Sequence, residues 1–141
     1  MVEIDKIISV SSKPTLFKLI ATKANGLILE DLTSGKTNFY SSRTSQFSPL
    51  ESIGIYTLED NIPLKEVYER FLSSEEKTPV PSETSSDQDY KIYFEQILPE
   101  YDKYRVHVRD MKKSIRWYHQ LKALGFITPT AEDKIDEEKI L

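Results

Sequence analysis

The residues of this chain that could do chemistry are mostly basic and lie near its carboxyl end. Seven of the nineteen Lys and Arg residues fall between Lys103 and Lys122, where Asp110 is the one acidic residue. The formal charge of this stretch is +6 (seven minus one), while the whole chain carries −4, so the rest of the chain sums to −10. Charge that is segregated in this way usually faces a partner of opposite sign.

Most of these basic residues follow helical spacing. Residues three and four positions apart share one side of a helix, here the side away from an apolar stripe, so their side chains can converge on an anionic surface. With one further arginine upstream they form the predicted ligand-binding set: Arg105, Arg109, Lys112, Lys113 and Arg116. Two alternatives stay open. A solvated helix needs a polar face, which Lys and Arg supply, and the acidic stretch from Glu132 to Glu138 could fold back and neutralise the set.

Aromatic and histidine residues stand beside the basic ones. Trp117, Tyr118 and His119 could stack on unpaired bases, although Trp117 and Tyr118 could equally border the apolar stripe and pack in the core. His107 and His119 are the two histidines, there is no cysteine, and no H-x-x-x-H or H-x-H spacing occurs. We therefore predict neither a metal site nor a bound cofactor.

Catalytic signatures are missing from the sequence. It has no nucleophile elbow and no Gly-rich phosphate loop, and its four glycines are not clustered. We predict a protein that is not an enzyme, with an enzymatic site between two domains left as an alternative.

A second candidate surface is rich in aromatic side chains around Pro99. It could form a peptide-docking groove, or it could be the core of a small helical unit that needs all its large side chains. Its members are Tyr90, Tyr93, Phe94, Tyr101 and Tyr104.

The first sixty residues favour β structure. Short apolar runs at 6–10, 16–21, 27–32, 37–40 and 53–56 are separated by turn residues. Asn25-Gly26 predicts a two-residue hairpin turn because both residues tolerate positive φ. We predict an α+β protein in which residues 1–60 form a five-stranded SH3-like antiparallel barrel, followed by a small C-terminal helical domain.

The period changes to helical after residue 60. The spacing predicts an amphipathic helix over 61–73, with Pro63 in its first turn. Residues 74–86 are rich in Ser, Thr, Pro and Glu and predict a flexible linker. A helical domain over 87–126 follows, with a capping box at Ser86 and Asp89, a last helix from about 110 to 124, and Gly125 just beyond its end. Residues 127–141 are an acidic tail.

Composition narrows the setting of the protein. The absence of cysteine fits a reducing compartment, so we expect a cytoplasmic protein. No segment resembles a signal peptide or a membrane span. A pI near 5.3 argues against coating of nucleic acid through bulk charge, so any such binding would use a local patch.

Several motifs in order resemble an uncharacterised Bacteroidetes family of unknown function, over about residues 3–125 without the linker. They are Ile7-Ile8-Ser9-Val10-Ser11, Lys13-Pro14, Leu16-Phe17-Lys18-Leu19, Tyr93-Phe94, Leu98-Pro99-Glu100-Tyr101-Asp102, Arg105-Val106, Asp110-Met111-Lys112-Lys113 and Trp117-Tyr118. The resemblance implies an SH3-like N-terminal domain and a short helical domain, with no assigned activity, cofactor or partner.

The sequence departs from that family's pattern in two places. Ser12 and Thr15 stand where turn glycines are expected, and Arg109 stands where a serine is expected to cap the last helix. We expect the second change to remove a capping oxygen.

These observations favour a non-enzymatic binding or adaptor module that acts through protein–protein contacts with an unknown partner and no membrane. The alternative is an RNA- or DNA-associated protein that uses the basic side of the last helix on phosphates.

Overall fold

The computed structural model describes residues 1–129, and the chain divides into two compact units. Residues 4–53 form one unit, which we call the sheet unit. Residues 1–3 and 54–129 belong to the other, which we call the helical unit.

The sheet unit is one antiparallel sheet with the strand order β4-β3-β2-β1-β5. The first four strands pair with their chain neighbours, and β5 returns to pair with β1. In chain order the elements are β1 (Ile7–Val10), β2 (Leu16–Lys23), β3 (Gly26–Asp31), β4 (Thr37–Ser41), β5 (Phe47–Pro49) and a 3-10 turn (Leu50–Ser52).

The sheet is open. Strands β4 and β5 are its two edges, and within residues 1–129 no pairing joins them. The α+β class and the five-stranded antiparallel sheet are therefore confirmed, while closure into an SH3-like barrel is not.

One buried apolar cluster of the sheet unit lies on a single face of the sheet. Side chains two positions apart on a strand share a face of the sheet. The buried residues of this cluster are Ile8, Val10, Phe17 and Leu29. The ring of Tyr40 covers Phe17 edge-on, with 5.3 Å between ring centroids. Further cover comes from Leu19, Leu27 and Phe47, which are partly buried against this cluster.

The fifth strand differs from the prediction. Residues 54–56, expected to complete the first sheet, pair instead with Asn61–Pro63 in the helical unit, where Ile55 faces Ile62. The edge beside β1 is taken by Phe47–Pro49. The segments 47–49, 54–56 and 61–63 are each only three residues long. Their local sequence pattern is therefore too short to determine which strand each one pairs with.

The turn between β2 and β3 also differs from the prediction. The pairing of Lys23 with Gly26 places Ala24 and Asn25 in the turn, and neither Asn25 nor Gly26 has a positive φ. Gly26 is needed for another reason, because a Cβ there would overlap the carbonyl oxygen of Tyr40 on β4.

The helical unit packs three helices around aromatic rings, next to a short two-stranded hairpin. Its elements are β6 (Gly54–Tyr56), β7 (Asn61–Pro63), α1 (Leu64–Ser73), α2 (Asp87–Ile97) and α3 (Val108–Ala123). Phe71 of α1 lies 5.1 Å from the ring of Tyr93 on α2 and 5.3 Å from that of Tyr118 on α3. The hydroxyl of Tyr68 donates a hydrogen bond of 2.8 Å to the backbone oxygen of Ser114. One aromatic cluster therefore joins all three helices.

The ends of the helices are set by their caps. The first helix begins at Leu64 rather than 61, because residues 61–63 are strand and Pro63 is extended (φ −57°, ψ 144°). The capping box is confirmed: Asp89 N–H donates to Ser86 Oγ at 3.2 Å, and Ser86 N–H donates to Asp89 Oδ2 at 3.4 Å. Gly125, with φ 85°, ends α3 as expected.

Residues 74–86, for which composition predicts a flexible linker, belong to the helical unit and contact its helices. The backbone oxygen of Pro81 lies 2.7 Å from Nε2 of His119 on α3, and the hydroxyl of Tyr90 on α2 donates to the oxygen of Ser82 at 3.1 Å. Glu75 pairs with Lys122 of α3. The division between the units instead falls between residues 53 and 54.

The acidic tail lies mostly outside the described residues. Its first residue, Ile127, is buried and pairs with Val2. The stretch from Glu132 to Glu138, and with it the predicted internal neutralisation of the basic residues, lies beyond residue 129.

Replacing Gly26 with Ala should destabilise the sheet unit by about 1–3 kcal/mol, as overpacking does, because the new Cβ would meet Tyr40 and the ring of Phe39. Urea denaturation followed by far-UV circular dichroism measures the change. Gly35→Asn is the control, since nothing lies within 4 Å of a Cβ there and asparagine tolerates the φ of 77°. A Gly26→Ala midpoint equal to that of the wild type would contradict the close approach of the two strands.

Candidate binding face on the last helix

One face of α3 is buried in the helical unit. The apolar stripe of α3 consists of Met111, Ile115, Tyr118 and Leu121, and each of these residues is at most 2% exposed. Ser114 and Trp117 are buried with them. With 100° between successive residues, the opposite side of α3 faces away from this packing.

The opposite side carries four cations, Arg109, Lys112, Lys113 and Arg116, which we call the basic face. Helical geometry places them within an arc of about 100° and about 10 Å along the axis. The first three are exposed and Arg116 is half-buried. The structure therefore brings together four of the five residues that the sequence predicted to bind a ligand.

No carboxylate neutralises the basic face within the described part of the chain. The four ion pairs found there are Arg70–Glu100, Lys103–Glu95, Arg105–Asp102 and Lys122–Glu75. These pairs account for the other three cations of the basic stretch. Of the basic stretch 103–122, the four cations that lack a carboxylate partner within residues 1–129 are the ones that share a face. Lys113 also has a contact with an aromatic ring, with Nζ 5.8 Å from the centroid of the Trp117 ring.

Arg105 lies elsewhere and has internal partners. Its Nε donates to Asp102 Oδ2 at 2.8 Å, and its Nη2 donates to the backbone oxygen of Thr57 at 2.9 Å. Its guanidinium also stacks over the ring of Tyr56, 4.4 Å from the centroid. Arg105 thus ties the loop between α2 and α3 to the β6–β7 hairpin, and the structure does not place it with the basic face.

The carboxylate of Asp102 is held by donors. The Arg105 guanidinium and the backbone N–H of Tyr104 donate to it, and both lower the pKa of Asp102 below its usual range. At neutral pH the group is therefore ionised, and the loop that follows α2 is fixed by a charge-assisted contact.

The start of α3 corrects the expectation about its cap. The helix begins at Val108, so Arg109 lies inside the first turn and not at the capping position. The carboxylate of Asp110 accepts a hydrogen bond of 3.0 Å from the N–H of His107. A serine at position 109 would not cap this helix, because that residue is already within it.

The aromatic residues considered for ligand contact are mostly core. Trp117 is 8% exposed and Tyr118 is fully buried, so their rings are not available for stacking on bases. The predicted groove around Pro99 is also core, because four of its five aromatic residues are at most 5% exposed. Tyr104 is the exception at 88%, and Leu58 and Tyr56 nearby are also exposed. Sequence pattern did not single out Tyr56 and Leu58, because large side chains are normally assigned to the core.

Buried tyrosines in this unit serve packing. Burial raises the pKa of Tyr68, Tyr93 and Tyr118, and the carboxylate of Glu75 adds to the shift for the last two. Their hydroxyls therefore stay protonated and uncharged at neutral pH.

A cleft of about 340 Å³ lies between α2 and the start of α3. Its lining combines exposed charged side chains with apolar side chains that are mostly buried. The residues that form it are Lys91, Glu95, Tyr101, Lys103, Val106, His107, Val108 and Met111. Sequence spacing did not reveal it, since the two helices that form it meet only in the fold.

Residues 1–129 contain neither a cluster of metal ligands nor a membrane-spanning helix. No group of three His, Asp or Glu side chains there is arranged to hold a metal ion. No helix in the same range has both the length and the apolar character needed to cross a membrane.

Comparison with known proteins places the chain among uncharacterised relatives. Residues 4–50 match a domain of unknown function, DUF5606, and residues 53–121 match another, DUF6852. A solution NMR structure of a Bacteroides vulgatus protein, a target of the Northeast Structural Genomics Consortium, is 32% identical, with 89% of each chain covered and a TM-score of 0.69. The chain belongs to the same family as this protein.

The family assignment agrees with the sequence resemblance to a Bacteroidetes family of unknown function. The two matched domains follow the sheet unit and the helical unit, respectively. A comparison with curated proteins found no match. The matches bring no assigned ligand, so the function has to be argued from the basic face.

Replacing Asp102 with Asn should lower the stability of the helical unit at pH 7. It should also reduce the amount of stability that the protein loses as the pH falls to 3. Because the folded-state pKa of Asp102 is depressed, its contribution is present above the unfolded-state pKa of about 4 and is lost as pH falls through the folded value. Urea midpoints at pH 7 and pH 3 measure both effects. Glu59→Gln, an exposed site on the neighbouring hairpin, is the control. If the urea midpoint of the Asp102→Asn protein falls between pH 7 and pH 3 by as much as that of the wild type, this role is contradicted.

Proposed function

We propose that this protein is a non-enzymatic binding module that uses the basic face of α3 to contact an acidic surface of a partner protein. The observation that carries the proposal is the pairing pattern of the basic stretch. Lys103, Arg105 and Lys122 have carboxylate partners, whereas the four cations of the basic face have none within residues 1–129. An exposed face of one sign favours fast and selective association with a complementary surface.

A protein partner fits this face better than a nucleic acid does. Trp117 and Tyr118 of α3 are buried, so neither ring is available as a stacking platform for bases. The alternative, an RNA- or DNA-associated protein, would use the same four cations on phosphates. The lack of cysteine supports a reducing setting such as the cytoplasm.

The double variant Lys112→Glu/Arg116→Glu should weaken binding to an acidic polypeptide about tenfold, because two attractive contacts become repulsive ones. Fluorescence anisotropy at 50 mM salt, with labelled poly-glutamate as the acidic polypeptide, measures the affinity. Labelled single- and double-stranded RNA are titrated in parallel to test the alternative.

The matched control is Lys65→Glu/Lys77→Glu. It makes the same change in net charge at two exposed lysines of the helical unit that have no carboxylate partner within residues 1–129. If both double variants bind poly-glutamate equally, bulk charge is responsible and the basic face is not. If RNA binds the wild type more tightly than poly-glutamate and only Lys112→Glu/Arg116→Glu loses it, the nucleic-acid alternative replaces the proposal.

A further inference from the structure

The two edges of the sheet unit differ in how well they are protected from a further strand. Strand β5 is three residues long, ends in Pro49 and runs directly into the 3-10 turn. Strand β4 has five residues, TNFYS, without a charge, a proline or a bulge. Natural edge strands usually carry one of these features, because unpaired backbone groups otherwise recruit another strand. Strand β4 is therefore the open edge of this sheet.

The hydrogen bonds at the two ends of β4 show which of its backbone groups point outward. Asp31 N–H donates to the oxygen of Lys36 at 2.8 Å, and Ser42 N–H donates to the oxygen of Asn25 at 3.0 Å. Bonded pairs alternate along an antiparallel ladder, so the even-numbered residues 38 and 40 bond to β3 between these ends. The odd-numbered residues of β4 direct their N–H and C=O groups away from β3.

Two of these residues, Thr37 and Phe39, offer their outward groups to a further strand. The oxygen of the third, Ser41, already accepts two hydrogen bonds from the turn that follows, at 3.3 and 3.1 Å. No strand pairs with this side of β4 within residues 1–129. Phe39 is 49% exposed, although its ring packs against Gly26 on β3. The edge therefore combines free backbone groups with an accessible aromatic ring.

We propose that two copies of this chain associate through β4, as antiparallel edge strands related by a two-fold axis at Asn38. In this register Thr37 of each copy faces Phe39 of the other, and their N–H and C=O groups form four hydrogen bonds. The two Phe39 rings lie diagonally on one side of the extended sheet, within reach of each other. The contact belongs to the sheet unit and is independent of the basic face.

The fit of β4 to itself favours a second copy over a foreign strand. Lys36 faces Tyr40 of the other copy, so the two lysines stay apart and no like charges meet. Gly35 faces Ser41, and both residues are small. The uncharged strand gives a charged peptide no complementary group, whereas self-pairing satisfies its backbone and covers its exposed ring. Because the pairing is two-fold and β5 is protected, the assembly ends at a dimer.

Hydrogen exchange at different protein concentrations tests this register in the full-length chain. An interface this small should be weak, with a Kd on the order of 0.1 mM, so sedimentation is measured from about 0.02 to 1 mM. At about 1 mM roughly four-fifths of the chains are paired, and the amides of Thr37 and Phe39 should exchange about fivefold more slowly. The amides of Asn38 and Tyr40, bonded to β3 in either state, should not change. A monomer at every concentration, or a dimer with unprotected Thr37 and Phe39 amides, would overturn the proposal.

Variants separate strand pairing from other kinds of self-association. Thr37→Lys, at an exposed position, should abolish the dimer, because it places two lysines diagonally across the axis. Ile20→Lys is the matched control, since it makes the same kind of substitution at a residue of β2 that is 51% exposed and lies away from the edge. If both variants weaken association equally, strand pairing is excluded. Lys112→Glu/Arg116→Glu should dimerise as the wild type does, and loss of the dimer there would assign self-association to the basic face instead.

Discussion

The packing of aromatic rings around Phe71 is the interaction on which the helical unit depends. Phe71 of α1 contacts rings of both other helices, and Tyr68 one turn earlier lies 5.5 Å from Tyr118. Each such pair contributes about 0.5–1.5 kcal/mol beyond the burial of apolar area. Because Tyr118 is on α3, the same cluster fixes which side of that helix faces inward. The exposed side is then determined by the helical repeat.

The basic face follows from this orientation. Residues three and four apart stay together on a helix, so fixing the buried stripe also fixes Arg109, Lys112, Lys113 and Arg116 on the far side. The sequence could predict this part of the site because both stripes belong to one helix and need only its period. Arg105 precedes the helix, and no helical period applies to it. Its partners are Asp102, three residues earlier, and the distant Thr57 oxygen. The Asp102 spacing was a usable signal, whereas the Thr57 contact exists only in the fold.

In the sheet unit, too, contacts between chain neighbours could be predicted from the sequence, whereas contacts between distant segments could not. The four strands joined by short turns were predictable because each hairpin brings neighbours in the chain together. The fifth position in the sheet depends on a pairing between β1 and β5, separated by some forty residues, and the prediction chose Ile55 and its neighbours for it. Ile55 instead faces Ile62 across a short turn, which is the more local of the two solutions. Gly26 shows a related limit, since the need for glycine comes from Tyr40 on another strand and not from the turn.

The surface at the first two turns of α3 depends both on local sequence signals and on tertiary contacts. The hydrogen bond from His107 N–H to Asp110 sets where the helix begins, and the helical period then places the basic face. The cleft beside it needs α2 and the loop that Asp102 and Arg105 hold. Charge on α3 alone would attract any polyanion, because exposed cations discriminate weakly among anionic partners. The charge of this surface therefore follows from the helical period of α3, whereas the shape of the surface beside it follows from the tertiary contacts that position the loop.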